Sequence, residues 1–346
     1  MKKEINSKIA RRKKSVIIAA AAASLTFLAS CSSSSSSSSA ADAAAPTALQ
    51  GDGQTIALSL NGVVDYTKYV AQGFLKGLEG TGYSVKIVQA NFDVQTELKN
   101  LEGLISQGVA GIVVQPNTID TVLTAAKEAQ TAKIPTSLAL WAAPGPLDSY
   151  MKGVSALDSV GGGQMIGEYL KANAKPGEII VVQGVVGQGF SEKIDEGLDA
   201  SLKGTGFKVV VRKQGFFDRN KAIDIVAAGM QAHPNVTAIV DYAATMGDGI
   251  SNWLKQQGKT NITHVTSDGD EEMLTWMGTP YLAASRYYSA ADTGLLAAKA
   301  LVDSLGGKTP TFKNDVFQTM MTADNKDATL AAHPLNYPEL ASKTGL

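Results

Sequence analysis

The sequence predicts an α/β protein made of two similar, doubly wound domains with parallel sheets. The first observation behind this prediction is that short β-rich runs alternate with helical stretches from Thr55 onward. The second is an internal repeat: the hexapeptide at 78–83, LEGTGY, has a counterpart at 202–207, LKGTGF. Alternation indicates βαβ units and a parallel sheet covered on both faces. Repetition of the same order of elements indicates two such domains in tandem.

The first half predicts four strands and three helices in strict alternation. The strands are expected at 56–60, 84–89, 111–115 and 136–140, and the helices at 67–78, 95–106 and 119–132. Each strand is a short apolar run rich in β-branched residues, and each helix carries apolar residues at helical spacing.

The second half repeats this order after its own hexapeptide. A strand at 209–211 is followed by Phe216-Phe217-Asp218, as the strand at 84–89 is followed by Asn91-Phe92-Asp93. A helix and a further strand at 238–240 complete the correspondence with 111–115. The triple glycine at 161–163 is expected to form a turn before a helix at 164–170.

The N-terminus predicts export and a lipid anchor. Seven basic residues precede an apolar run at 16–28, which is too short to cross about 30 Å of hydrocarbon. The segment Leu28-Ala29-Ser30-Cys31 then resembles the lipobox of bacterial lipoproteins, in which the cysteine is lipidated. The alternative is a cysteine that follows a signal peptide by chance. Residues 1–30 are thus predicted to be the signal peptide, and the Ser/Ala-rich residues 31–53 a flexible linker.

Bulk composition argues against nucleic-acid binding and against an internal disulfide. Without the first 30 residues, which hold seven of the 31 basic and one of the 32 acidic residues, the net charge is −7. A nucleic-acid-binding protein would normally show a basic patch, and none is visible. Because Cys31 is the only cysteine, an internal disulfide is impossible. Apolar residues make up 44% of the chain, enough for two sizeable cores.

Candidate ligand-binding residues follow the predicted strands, because open parallel sheets bind ligands at the carboxyl ends of their strands. The candidates are Asn61, Asp65, Tyr66, Gln115, Trp141, Gln188, Phe190, Phe217, Asp268, Arg286 and Tyr287. Several have a structural alternative: Asn61 and Asp65 suit a helix cap, Gln115 an ordinary loop amide, Trp141 a core anchor, and Asp268 an Asp-Gly turn.

Several segments together resemble the sugar-binding, type I branch of the periplasmic solute-binding proteins, with a layout like that of the ribose-binding proteins. The matching segments are 56–61, 108–116, 129–135, 183–187, 217–219, 232–236 and 266–269. The resemblance implies a hinge of three segments, near 154–156, 285–290 and 313–316. It divides the chain into an N-terminal domain of 54–154 and 289–315 and a C-terminal domain of 155–288 and 316–346.

The resemblance also implies a function and roles for two residues. The protein is expected to capture a sugar, a polyol or a similar small solute by hinge closure and to deliver it to an ABC permease and its ATPase. Asp268 takes the position of a carboxylate that accepts from ligand hydroxyls, and Phe217 that of a ring that packs on the sugar. Trp141, Glu192 and Ala243 replace polar residues that many relatives carry, so a less polar and more aromatic pocket is expected.

Two other functions compete with transport. A receptor subunit that reports the solute to a membrane signalling partner would use the same closure. An enzyme is disfavoured, because the three histidines are dispersed and no nucleophile elbow or H-E-x-x-H motif is present. The glycines at 184, 187 and 189 do not follow the G-x-G-x-x-G order, so dinucleotide binding is not expected. No other cofactor and no metal is expected.

Overall fold

The computed structural model describes residues 50–140, 145–186 and 189–346, and the signal, the linker, Trp141 and Gln188 lie outside them. The first sheet has six parallel strands in the order β11-β5-β4-β3-β1-β2. Its strands are β1 (Thr55–Leu60), β2 (Ser84–Gln89), β3 (Gly111–Gln115), β4 (Thr136–Leu140), β5 (Met151–Ala156) and β11 (Lys313–Asp315).

The second sheet also has six strands, in the order β12-β10-β9-β8-β6-β7. They are β6 (Glu178–Gln183), β7 (Lys208–Gln214), β8 (Val236–Asp241), β9 (Thr263–Ser267), β10 (Ala284–Tyr288) and β12 (Gln318–Met321). Only β12 runs antiparallel, against β10. The prediction of two similar parallel-sheet α/β domains is confirmed.

Helices cover both faces of each sheet. They are α1 (Asp65–Leu78), α2 (Val94–Ser106), α3 (Ile119–Thr131), α4 (Gly145–Asp148), α5 (Ser159–Asn173), α6 (Phe190–Leu202), α7 (Arg219–Ala232), α8 (Ala244–Gln256), α9 (Glu271–Leu274), α10 (Ala290–Leu305) and α11 (Lys326–Ala332), followed by a 3₁₀ helix (Pro338–Lys343). Among the described residues, no helix combines the length and the apolar character needed to cross a bilayer.

Alternation along the strands explains why both faces of each sheet must be covered. In β3, Ile112 and Val114 pack into one apolar cluster and Val113 into another. In β6, Ile179 and Ile180 likewise belong to clusters on opposite faces. Successive side chains point to opposite faces of a strand, so a strand that is apolar at every position is stable only between two helical layers.

The internal repeat forms the same turn twice. The Thr81 hydroxyl donates to the Leu78 carbonyl and the Thr205 hydroxyl to the Leu202 carbonyl, each at 2.6 Å. The next glycine is left-handed in both copies, with φ of 80° at Gly82 and 84° at Gly206, a conformation that glycine adopts without steric cost. The hexapeptide is therefore a helix–strand connection that both lobes share.

The prediction of a turn at 161–163 is wrong, because these glycines lie inside α5. A Cβ on Gly163 would lie 2.1 Å from the Ile194 carbonyl oxygen, and one on Gly162 would lie 2.1 Å from Arg286 Nε. The missing side chains let α5 approach both α6 and β10. Close packing overrides the low helix propensity of glycine here.

The chain passes between the two sheets three times, always beside the same edge of each. It leaves the first sheet after β5, returns after β10, and crosses again between β11 and β12. Strands β5 and β11 end one side of the first sheet, while β10 and β12 end the matching side of the second. The opposite edges, β2 and β7, are therefore the parts of the two sheets most distant from the crossings.

Candidate ligand-binding site

The carboxyl ends of the two sheets meet around a pair of tyrosines. Tyr66 follows β1 in the first lobe, and Tyr288 ends β10 in the second. Their rings lie edge to face, with centroids 6.1 Å apart and an interplanar angle of 63°. The Tyr66 hydroxyl donates to Thr293 Oγ1 at 3.5 Å, and burial raises its pKa. Residues from both lobes thus contact each other at the edge where parallel sheets bind ligands.

Asp268 follows β9 and is held rigidly by its own backbone. Its φ of 56° is left-handed, a conformation that Asp tolerates better than most residues. Its N–H donates to the Arg286 carbonyl at 2.9 Å, and its own carbonyl accepts from Ser285 Oγ at 2.6 Å. Oδ1 accepts from the Ala244 N–H at 2.7 Å. Burial raises the pKa of this carboxyl well above its usual range, and the nearby guanidinium of Arg286 opposes that rise.

Arg286, on β10, is the largest fully buried side chain among the described residues. Its guanidinium lies over two rings, 4.8 Å from the centroid of Tyr288 and 5.8 Å from that of Phe190. Nε donates to Gln318 Oε1 at 3.1 Å, whereas Nη1 and Nη2 have no hydrogen-bond partner in the described protein. Burial lowers the pKa of the guanidinium. A buried, charged group with two free donors is costly unless another molecule supplies acceptors.

Two aromatic rings of the second lobe, those of Phe190 and Phe217, follow strands at this edge. Phe190 is the first residue of α6 and follows Gly189, whose φ is 83°. The ring of Phe217 lies on Gly184, where a Cβ would come within 2.2 Å of it. Aromatic faces pack well on the C–H face of a sugar, while polar groups bind its hydroxyls.

The first lobe presents neutral amides at its edge. Gln115, which ends β3, is buried with Oε1 unpartnered, and Asn61, which follows β1, is partly buried with Oδ1 unpartnered. Nearby, Glu97 on α2 is fully buried and accepts from the Asn117 N–H at 2.8 Å. Burial raises the pKa of Glu97 to about 7.

Two predicted residues take other positions in the structure. Tyr287 points to the opposite face of β10 from Arg286, and its hydroxyl donates to the His333 carbonyl at 2.7 Å. Alternation along the strand instead brings Tyr288 to the site. Asp65 is exposed in the first turn of α1 and pairs with Lys68 at 3.0 Å. Trp141, Gln188 and the lipidation candidate Cys31 lie outside the described residues.

The candidates predicted from sequence include neither the buried Glu97 nor Tyr288. Tyr288 carries a signal, because residues two apart on one strand share a face and Arg286 was already a candidate. Glu97 carries none, since an acidic residue in the first turn of a helix is ordinarily a solvated one.

A Ser-His-Asp constellation exists in the second lobe, but it is closed to substrates. His264 Nε2 lies 2.8 Å from Asp241 Oδ2, and Ser251 Oγ lies 3.2 Å from Nδ1. All three side chains are fully buried, and Nδ1 also faces the Tyr281 carbonyl at 2.9 Å. The network therefore links β8, β9 and α8. In the described ranges, no cluster of His, Cys, Asp and Glu could hold a metal ion.

The chain belongs to the periplasmic binding protein domain family, whose description matches residues 56–309. Among curated proteins, it is 29% identical over 199 residues to the ribose import binding protein of Salmonella typhimurium, covering 57% of this chain and 66% of that one, just under two thirds. It is 28% identical over 305 residues to a xylitol-binding protein of Mycolicibacterium smegmatis, covering 83% and 82%.

Solved structures show the same fold at low sequence identity. An ABC transporter solute-binding protein from Agrobacterium vitis with bound D-fucose superposes with a TM-score of 0.75 at 17% identity, covering 82% of this chain and all of that one. One from Bacillus halodurans with bound myo-inositol gives 0.73 at 18%, covering 82% and 99%. The two lobes described above are thus the type I periplasmic binding protein fold.

Proposed function

We propose that this protein is an extracytoplasmic solute-binding protein of an ABC importer, and that it captures a sugar, a polyol or a similar small solute between its two lobes. One observation carries the proposal: the buried guanidinium of Arg286 offers two unpartnered donors beside Asp268. Paired N–H groups suit adjacent oxygens on one molecule, and a carboxylate accepts from hydroxyls. Such a constellation is suited to a polyhydroxylated solute.

The contacts of Arg286 connect this site to the hinge. Its Nε is held by Gln318, at the start of β12, and Gln318 Nε2 donates to the Asp158 carbonyl at 2.9 Å. Asp158 lies in the first crossing segment, Gln318 follows the third, and Arg286 precedes the second. A ligand bound to the guanidinium would therefore be connected through these contacts to all three crossing segments. Ligands drive closure only through contacts that favour the closed state.

In this proposal, the two predicted domains move relative to each other. The first comprises residues 54–154 and 289–315, and the second comprises residues 155–288 and 316–346. The pairing of β5 with β4 through Ala156 extends the first body by two residues. The C-terminal segment also contacts the first lobe, since the Tyr337 N–H donates to Gln72 Oε1 on α1 at 2.8 Å.

The proposed location is the outer face of a membrane, with Cys31 lipidated and the Ser/Ala-rich linker as a tether. The lipobox-like segment supports the anchor, because two acyl chains on one cysteine hold a protein stably at a bilayer. Cys31→Ala should release the protein from the membrane fraction of the expressing cells. A variant that stays in that fraction after a salt wash contradicts the anchor.

A thermal-shift assay with the mature chain tests the proposed class of solute. The panel is D-ribose, D-allose, D-fucose, myo-inositol and xylitol, with glycine betaine as a control of another class. A ligand that binds only the folded state raises the melting temperature as its concentration exceeds Kd. A rise with at least one sugar or polyol, and none with betaine, supports the proposal. No rise with any sugar or polyol contradicts it.

A further inference from the structure

The same strained turn ends the second strand of each lobe. Sequence 89–93, QANFD, follows β2, and sequence 214–218, QGFFD, follows β7. Both turns close with the aspartate as a helix cap: Asp93 accepts from the Thr96 N–H at 2.7 Å and Asp218 from the Lys221 N–H at 2.8 Å. The two turns are equivalent parts of the repeat.

Each turn holds two consecutive residues in the left-handed region, Asn91-Phe92 in the first lobe and Phe216-Phe217 in the second. The φ of Phe92 is 60°, and that of its equivalent, Phe217, is 57°. This conformation is uncommon for a bulky residue and costs about 1–3 kcal/mol, and such outliers cluster at ligand-binding sites. A cost repeated at equivalent positions in both lobes indicates that the placement of the ring matters.

The strained backbone places each ring on a glycine. A Cβ on Gly62 would lie 2.4 Å from the Phe92 ring, and one on Gly184 would lie 2.2 Å from the Phe217 ring. Both glycines belong to the first strand–helix loop of their lobe, at the carboxyl edge of the sheet. In the first lobe this contact is reinforced by the Phe92 N–H, which donates to the Asn61 carbonyl at 2.6 Å.

The two rings differ in what covers them. Phe217 packs against the apolar core of the second lobe, whereas Phe92 leaves 53% of its surface exposed. Both turns follow the carboxyl ends of β2 and β7, the sheet edges most distant from the crossings. A large aromatic surface at this position is apolar area that a bound solute would remove from water.

We infer that Phe92 is a ligand-binding residue, a second aromatic platform that packs on the solute from the first lobe as Phe217 does from the second. The inference rests on the proposed function and narrows its solute class. Two ring faces on opposite lobes favour a cyclic solute, whose C–H groups form flat apolar faces, over an open-chain polyol.

The test is calorimetry on the mature chain with the same panel. For a cyclic compound that binds, Phe92→Ala should raise Kd about 3- to 10-fold, the range typical of an aromatic contact, and Phe92→Leu should raise it less. The controls are Val94→Ala, an exposed apolar residue two positions on, and Phe216→Ala, the exposed aromatic of the equivalent turn. Neither control should change Kd.

Four outcomes overturn the inference. An unchanged Kd in Phe92→Ala removes the ring from the site but leaves the proposed function intact. An equal rise of Kd in Phe216→Ala would show that the effect is not specific to Phe92, and would assign it to contact between the rings of the two lobes. Binding of xylitol alone contradicts the preference for a cyclic solute. Binding of no sugar or polyol contradicts the proposed function, and the inference falls with it.

Discussion

The two lobes share a fold and a repeat but present different chemistry at the edges that face each other. The second lobe presents a buried guanidinium, a partly buried carboxyl and aromatic rings. The described part of the first lobe's edge presents the amides of Asn61 and Gln115, with the rings of Tyr66 and Phe92. The same scaffold therefore carries different side chains in the two lobes. We expect the second lobe to supply most of the binding free energy and the first lobe to complete the enclosure.

The largest expected effect is the loss of binding in Arg286→Met. Removing a buried charged donor that the ligand satisfies should raise Kd about 10³-fold. The ligand-free protein should melt at the same temperature or higher, because an unpaired buried charge is replaced by an apolar side chain of similar length. Thermal melting and calorimetry check both parts.

Arg212→Met is the matched control for this change, because Arg212 already pairs with Asp199 at 2.5 Å. It should leave Kd unchanged. A lower melting temperature of Arg286→Met without ligand would indicate a structural arginine and would assign the binding site elsewhere.

The second prediction concerns the protonation state of Glu97, which decides whether the first lobe's edge is neutral. Burial raises the pKa of Glu97 to about 7, above its ordinary value of 4.5. The folded protein thus binds more protons than the unfolded chain between these values. Stability should be greatest below about pH 4.5 and should fall by up to about 3 kcal/mol as the pH rises through 7, as far as Glu97 alone is concerned.

Glu97→Gln should remove this component of the pH dependence, since the amide is neutral at every pH. Urea unfolding of both proteins at pH 5 and pH 8 isolates it. If the difference in stability between the variant and the parent is the same at both values, Glu97 is ionised in the folded protein and the first lobe's edge is not neutral.

Asp268→Asn should raise Kd about 30-fold, because a carboxyl oxygen that can accept from a ligand hydroxyl becomes an amide NH₂ group, which can only donate. Asparagine also tolerates the left-handed backbone and can still accept from the Ala244 N–H through its carbonyl oxygen. Its melting temperature without ligand should stay within a few degrees. An affinity equal to that of the parent would reduce Asp268 to a turn residue.

The smallest effect in this series, comparable to that of Phe92→Ala, is expected for an amide of the first lobe. Gln115→Met should raise Kd only about fivefold, because a neutral hydrogen bond contributes about 1 kcal/mol. A loss in calorimetry as large as that of Asp268→Asn would reverse the assignment of most of the binding free energy to the second lobe.

Sequence alone predicted the fold because its signals are local and repeated. The apolar runs form the strands. The hexapeptides at 78–83 and 202–207 form the same turn in both lobes, and the Phe-Asp turns are likewise equivalent. The triple glycine was misread because its reason is non-local, namely the approach of α6 and Arg286 to α5.

Site residues were harder to predict, because position after a strand does not determine side-chain direction. Arg286 and Asp268 lie at the junction of the lobes, whereas Tyr287 faces away by simple alternation and Asp65 pairs with Lys68. Phe92 escaped attention because only its backbone conformation, its glycine support and its exposure distinguish it. None of these three properties is visible in sequence.

Capture by closure of the two lobes is the central claim, and small-angle scattering tests it most directly. The mature chain should show a smaller radius of gyration at saturation with whichever panel compound raises its melting temperature. Arg286→Met should show no change at the same concentration. An unchanged radius in the parent protein, with binding established by calorimetry, would contradict the claim.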